Sequence, residues 1–275
     1  GRMNEKADLH IHSLYSDGVL SPIEIVTRAK QADLKVISIT DHDSVGAIEP
    51  AIEAGRDIGV EVVPGIELSA RYENAEIHVL GYYIDYKNKD LVSSLAGFRV
   101  ERLKRAQRIV DKLNELKIPI TINSVLDHVK GDSVGRPHIA NTLVDSGHAE
   151  SYHDAFDKYI GDGRPAYEDK WIFSPEETIK LIANAGGLSF LAHPGKYITE
   201  EMILKLIKAG LDGVETVHPC HTPDLVYYYR GIVNQYCLLE CGGSDFHGGE
   251  RGDDHTFGQY TIPISTVNLM RKSLF

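Results

Sequence analysis

Nine side chains able to bind metal ions through oxygen or nitrogen stand at His10, His12, Asp17, His42, Glu67, His78, His193, Asp245 and His247. Three of them fall within KADLHIHSLYSDG, residues 6 to 18. From Ala7 to His12 the pattern alternates, with Leu9 and Ile11 on one side and Asp8, His10 and His12 on the other. A half-buried strand ordinarily turns Lys, Thr or Glu to water. Two His at i and i+2 instead aim two nitrogens at one point, which is metal chemistry and requires ligands from elsewhere. Polar groups that include such ligands gather in or just beyond other predicted strands: Asp41, His42 and Asp43 in TDHD, Glu67 after VVPG, His78 in EIHVLG, His193 in LAHP, His218 in VHP, and Asp245 and His247 in GGSDFH. Catalytic groups on α/β folds collect at the C-terminal ends of parallel strands.

Nine ligands exceed the roughly four to six positions of one ion. Several ions sharing a bridging carboxylate are therefore expected, with Glu67 as the bridge. Set against three divalent ions, the carboxylates of Asp17, Glu67 and Asp245 leave roughly three positive charges, and phosphate is the natural ligand for that surplus. In such a centre a bridging water is activated as the nucleophile while other ions clamp the phosphoryl oxygens. The set lacks thiolates and suits Mn²⁺ first, with Fe²⁺ or Zn²⁺ as alternatives.

The elements that must position these residues follow a strand-to-helix rhythm. In SPIEIVTRAKQAD, Ser21 is a capping residue, Pro22 suits the first helical position and Glu24 completes a capping box. KVISITDHD reads as a strand, and VGAIEPAIEAGRDIG as a helix ended by Gly59. VEVVPGIELSA and AEIHVLGYYID read as further strands. From residue 90 to 170 the pattern is helical, with a long helix over SLAGFRVERLKRAQRIVDKLNELK. The rhythm then resumes through LSFLAHP, VETVHP and LLECGGSDFH. About seven strands in a parallel sheet covered by helices are expected, closed into a barrel or nearly so. The expected division is a barrel over 1–89 and 171–275, with a helical insertion over 90–170 covering its active-site end. No Gly-rich turn follows the first strand, where a dinucleotide fold requires one.

The chain has 275 residues, 42% hydrophobic and 25% charged, with a formal charge of −11. The acidic balance argues against duplex nucleic acid as a partner, while a small anion held by metal ions stays compatible with it. No apolar run reaches the ~18–20 residues of a membrane span, and the N-terminus shows no apolar signal region. Gly1 and Arg2, ahead of Met3, read as an expression scar. Three Cys without framework spacing fit a reducing compartment, so a cytoplasmic location is expected, with no obligate protein partner.

In DLHIHSLYSDG, TDHD, GIELS, IHVLGY, LAHPG and GGSDFH the sequence closely resembles the polymerase and histidinol phosphatase (PHP) family of metal-dependent phosphoesterases. The resemblance implies an α/β fold, a distorted (β/α)7 barrel, with up to three metal ions. It implies one ion on His10, His12, Glu67 and Asp245, a second on Glu67, His78 and His193, and a third on Asp17, His42 and His247. GRPHIA, residues 135 to 140, is similar to the signature of the branch that removes phosphate from nucleotides. That branch implies the 3′-phosphate of a 3′,5′-bisphosphonucleoside as the target, with inorganic phosphate as product. Arg136 would then face the phosphate, His218 would assist, and Asp245 would serve catalysis as well as metal binding. His138 is a candidate substrate contact, equally open to a packing role.

Asp8, Asp41 and Asp43 are expected to hold the outer nitrogens of ligating imidazoles. Arg102, Arg105, Arg108 and Lys112 are expected mainly on a solvated helix face, the alternative being a rail for single-stranded nucleic acid. Rival activities are a 5′–3′ exonuclease on short oligonucleotides, a histidinol-phosphate or other small-molecule phosphatase, and an amidohydrolase. A non-enzymatic interaction domain is the remaining rival; loss of ligands would favour it, and no ligand is lost.

Overall fold

The computed structural model describes residues 4–170 and 173–274. Gly1 and Arg2, and the domain boundary expected at residue 171, lie outside the described residues. The N-terminal half runs β1 (Lys6–Ile11), α1 (Pro22–Gln31), β2 (Leu34–Ile39), α2 (Ile48–Ile58), β3 (Glu61–Val62), β4 (Gly65–Tyr72) and β5 (Ala75–Tyr82). Helices α3 (Lys89–Glu115), α4 (Ile122–Leu126), α5 (Arg136–Asp145) and α6 (Tyr152–Ala155) follow, α6 running into a π-helical turn at Phe156–Ile160. The chain then forms α7 (Pro175–Asn184), β6 (Leu188–Leu191), α8 (Glu200–Lys208), β7 (Gly213–Val217) and α9 (Pro223–Gln235). It closes with β8 (Leu239–Gly242), β9 (Ile262–Pro263) and α10 (Ile264–Ser273).

Local chemistry sets several boundaries where the sequence placed them. Ser21 and Glu24 form the reciprocal capping box of α1, and Pro22 occupies its first turn. Gly59 ends α2 in the left-handed conformation at φ 83°.

The strands form two sheets, β3-β2-β1-β9 and β4-β5-β6-β7-β8. Two single-residue parallel bridges join them, Ile11 to Phe246 and His42 to Glu67. These seams close β1, β2 and β4 to β8 into a seven-stranded ring, while β3 and β9 extend the first sheet at its edges. The ring is not all parallel: β5 runs antiparallel to both β4 and β6. The turn explains this departure. Two residues, Glu73 and Asn74, separate β4 from β5, and parallel neighbours need a crossover of about a dozen residues. The extra β3 also makes Glu67 a residue of the fourth strand rather than the third.

Apolar side chains fill the ring from both sheets, among them Leu9, Val36, Leu80, Tyr82, Phe190 and Cys241. A separate apolar cluster runs from Ala106 to Ala166 and includes Leu113, Val125, Leu143 and Ile160. Helix α3 belongs to both bodies. Its Leu91 and Leu95 pack with Ile66, Leu68 and Val79 of the ring, whereas its Ala106, Ile109 and Leu113 pack in the second cluster. Helix α3, which begins at Lys89 beside the expected boundary, thus contributes side chains to both apolar clusters. No helix among the described residues is long and apolar enough to cross a membrane.

Candidate metal centre

The rim where the two seams close carries the chemistry-bearing residues. Glu67 projects from β4 into the ring and is 1% exposed. Its Oε1 lies 3.1 Å from His10 Nε2 and 3.0 Å from His12 Nε2. Its Oε2 lies 3.0 Å from His78 Nδ1 and 3.1 Å from His193 Nε2. One buried carboxylate thus faces two pairs of imidazoles, one pair per oxygen.

The ligand atoms converge in overlapping groups: His10, His12, Glu67 and Asp245; Glu67, His78 and His193; and His12, Asp17, His42 and His247. Two further groups bring Glu215 and His218 to His10, and His193 and His218 to Asp245. The backbone at the rim is specialised. His193 and Asp245 both adopt positive φ, at 23° and 52°, a conformation that costs energy for residues with a side chain and concentrates at functional sites. Gly243, just after β8, has no room for a side chain, since a Cβ there would stand 2.4 Å from Asp8 Oδ1 and 2.5 Å from the His10 nitrogen.

The donor atoms themselves fit metal ions. His12 Nδ1 and Nε2, His42 Nδ1, His247 Nε2 and Asp245 Oδ1 are buried and have no hydrogen-bond partner. Buried polar atoms are nearly always satisfied, so their convergence marks a place built for cations. His12 Nε2 lies 3.0 Å from both Glu67 Oε1 and Asp245 Oδ1, yet out of hydrogen-bonding alignment with either. Electrostatics agree. Burial pushes the Glu67 carboxyl up, but the imidazoles around it, His10 foremost, hold it well below the usual range. Burial likewise opposes ionisation of Asp245, and the imidazoles of His10, His12 and His218 overcome it. At His42 burial prevails, so the ring stays neutral and keeps a lone pair for a metal. The clusters are compatible with a multi-metal site, and bound divalent ions would supply Lewis acidity for activating water and neutralising phosphoryl charge.

Expected outer partners are redistributed. Asp8 accepts from the backbone of His10 and from the nitrogen and hydroxyl of Ser244. Asp41 accepts from Ser13 and Ser16, and Asp43 pairs with Arg102. These three carboxylates brace the loops rather than the imidazole rings. The ring of His10 is held instead by Glu215, whose Oε2 lies 2.6 Å from Nδ1, while its Oε1 accepts from the His193 backbone at 2.8 Å. Glu76 does the same for His78, at 3.2 Å from Nε2. Both were missed, although a lone acidic residue inside the apolar strand of VETVHP was a signal for Glu215.

His218 Nδ1 accepts from the Cys220 backbone at 2.9 Å, which leaves the proton on Nε2, 2.9 Å from Asp245 Oδ2. His221 is spent on structure, bridging Gly195 N and Thr216 O. His138 Nδ1 accepts from Gly135 N and caps α5. Arg136 donates to Asp162 and Ile160. It lines two cavities that adjoin His78. One is largely apolar, with Ile77, Leu191, Pro194 and Tyr197. The other is cationic, with Arg102, Arg105 and Lys170 beside Asp17 and His42. Arg105 is 7% exposed, which corrects the expectation of a solvated face, although Arg108 and Lys112 do stay partly open to solvent.

A mixed α/β ring with overlapping His/Asp/Glu groups on its rim, compatible with several metal ions, defines a class, the metal-dependent hydrolases. Comparison with known proteins narrows it. Residues 8–201 match the PHP domain. The chain is 36% identical over 251 residues to a 5′-3′ exoribonuclease of Haemophilus influenzae, covering 89% of this chain and 91% of the relative. It is 32% identical over 254 residues to a 3′,5′-nucleoside bisphosphate phosphatase of Chromobacterium violaceum, covering 90% and 89%. The crystal structure of a candidate metal-dependent phosphoesterase from Bifidobacterium adolescentis superimposes with a TM-score of 0.91 at 32% identity, over 98% of this chain and 96% of that one. The chain belongs to the PHP domain family. It is a metal-dependent phosphoesterase, an enzyme that hydrolyses phosphomonoesters, and the distorted ring is that family's barrel.

Glu215→Gln keeps the shape behind His10 and removes the charge. Partners of ligating imidazoles are worth about 10–100-fold in metal affinity or activity, so Mn²⁺ bound per chain at limiting metal should fall, together with kcat. Unchanged metal content would show that Glu215 serves packing alone.

Proposed function

We propose that the enzyme removes the 3′-phosphate of a 3′,5′-bisphosphonucleoside. The observation that carries this reading is the cationic cavity beside the centre. Arg105 donates to the Glu168 carbonyl, but its buried Nη2 has no hydrogen-bond partner. Lys170 reaches Ser69 Oγ at 2.7 Å and approaches Glu76. Arg102 and Arg136 stand with them around the same space. Burial, and then repulsion from Arg136, lower the Arg105 pKa to about 10. Such a surplus of buried donors suits a second phosphate on the substrate, placed where the first reaches the metal ligands. The similarity to the Chromobacterium violaceum phosphatase supports the same substrate.

In this reading the nine residues from His10 to His247 hold three divalent ions, Mn²⁺ first. Arg136 steadies the reacting phosphate, and the Nε2–H of His218, held beside Asp245, is placed to donate a hydrogen bond to a phosphoryl oxygen. The Haemophilus influenzae relative favours a second reading, stepwise hydrolysis of a short oligonucleotide from its 5′ end. Phosphate release from 3′,5′-bisphosphoadenosine, set against mononucleotide release from a short oligoribonucleotide, separates the two.

Arg105→Met should raise KM for 3′,5′-bisphosphoadenosine about 10- to 150-fold, as expected for a lost charged hydrogen bond of roughly 1.5–3 kcal/mol. It should leave 3′-AMP, which lacks the second phosphate, nearly unaffected; equal losses on both substrates would remove the second-phosphate site. Lys170 adds a pH signature. Burial, and then the Arg102 charge, lower its pKa to about 8. It is cationic below that pH and loses its charge above it, so the ratio of KM values for the two substrates should climb as pH rises through about 8. A flat ratio would exclude Lys170 from the site. His218→Asn should slow the nucleotide and p-nitrophenyl phosphate alike, by about 10²–10³-fold, as expected for a hydrogen bond lost from the phosphoryl group both share. A loss confined to the nucleotide would refute the phosphoryl contact.

A further inference from the structure

The third ligand group differs from the other two in charge. Its imidazoles come from His12, His42 and His247, and its one carboxylate is Asp17. That carboxylate is already engaged. Arg251 Nη2 lies 3.0 Å from Asp17 Oδ2 and also donates to the Asp17 carbonyl at 3.1 Å. The placement of Arg251 is built into the fold. Asp253 accepts from His247 N at 2.6 Å and from Gly249 N at 2.8 Å, turning the segment after β8 back over the rim. The guanidinium then stands 5.1 Å from the centre of the Tyr152 ring, which the helical insertion supplies.

Formal charges show the consequence. The first group carries two carboxylates, Glu67 and Asp245, among its four ligands. The second shares Glu67, whose charge no Lys or Arg among the described residues faces directly, while the Glu76 carboxylate behind His78 is itself met by Lys170 at 3.7 Å. In the third, the one ligand carboxylate, Asp17, is offset by Arg251, and the Asp253 carboxylate, 3.9 Å from His247 Nδ1, is held by the His247 and Gly249 backbone nitrogens. Cation affinity in such sites follows the charge of the ligand set.

We infer that Arg251 is an internal counter-cation that keeps the third group weak for divalent metal, and that a phosphate dianion at the centre supplies the charge needed to fill it. The inference rests on the reading that the centre takes a phosphoester. The third ion then joins with the substrate instead of residing in the enzyme. Arg251 acts through Asp17 and is a positioning residue.

The test counts ions and does not depend on turnover. Metal-free protein, prepared by chelation and dialysis, is titrated with Mn²⁺, and free Mn²⁺ is read by electron paramagnetic resonance with and without inorganic phosphate. Wild type should bind two ions tightly and a third at least tenfold more weakly, and phosphate should tighten the third about tenfold. Arg251→Met should tighten the third ion about tenfold without phosphate. Arg251→Lys, which keeps the charge, should resemble wild type. Three equally tight ions in wild type, or a third site unmoved by phosphate, would overturn the inference without any variant. A third site that is unchanged or weaker in Arg251→Met would overturn it as well, and would make Arg251 a support for Asp17. Failure of wild type to bind any Mn²⁺ would instead remove the multi-ion centre, and this inference with it.

Discussion

The structure depends on an acidic side chain placed where water cannot reach it. Burying a lone carboxylate costs several kcal/mol unless charge and hydrogen bonds compensate. Glu67 meets that demand with four imidazoles, two at each oxygen. Each of those imidazoles comes from a strand of the ring or lies within two residues of its end: His10 and His12 at β1, His78 at β5, His193 at β6. The requirement to neutralise Glu67 is therefore a requirement that the ring close. The seam between His42 and Glu67 makes the point directly, since one backbone bridge joins the two sheets and carries two candidate ligands.

Compensation continues outward. His10 is polarised by Glu215, and the same carboxylate fixes the His193 backbone in its unusual conformation. Asp8 ties β1 to the segment after β8 through Ser244, next to a glycine that admits no side chain. The carboxylates outside the ligand set thus divide between holding rings and holding loops. Both tasks are needed to keep ligand atoms within a few ångströms of one another, and mutation of either kind acts on the centre without touching it.

Much of this was legible in the sequence because the signals are local. A His or an acid inside an apolar alternating stretch is conspicuous, and capping boxes and a terminal glycine mark helix ends without reference to anything distant. Seven strands do make the ring. The antiparallel run of β5 was open to the same reading, since two residues cannot carry a crossover, yet the strand-to-helix rhythm masked it. Arg102 and Arg105 were not legible. Their i, i+3 spacing on a mixed-charge helix is that of a solvated face, and only the packing of α3 against the ring turns them inward. The partners of Asp8, Asp41 and Asp43 were hidden for a related reason, because sequence gives proximity along the chain and not which of several buried carboxylates reaches a given nitrogen.

The path of α3 has a mechanical consequence. Its first turns are anchored in the barrel's apolar core and its last in the insertion's, and the residues between them carry Arg102 and Arg105. A hinge motion lifting the insertion as a rigid flap would have to break the helix at those very turns. The wall that carries Arg102 and Arg105 is for that reason stiffly yoked to the rim, and the gap between the two is set before anything enters it.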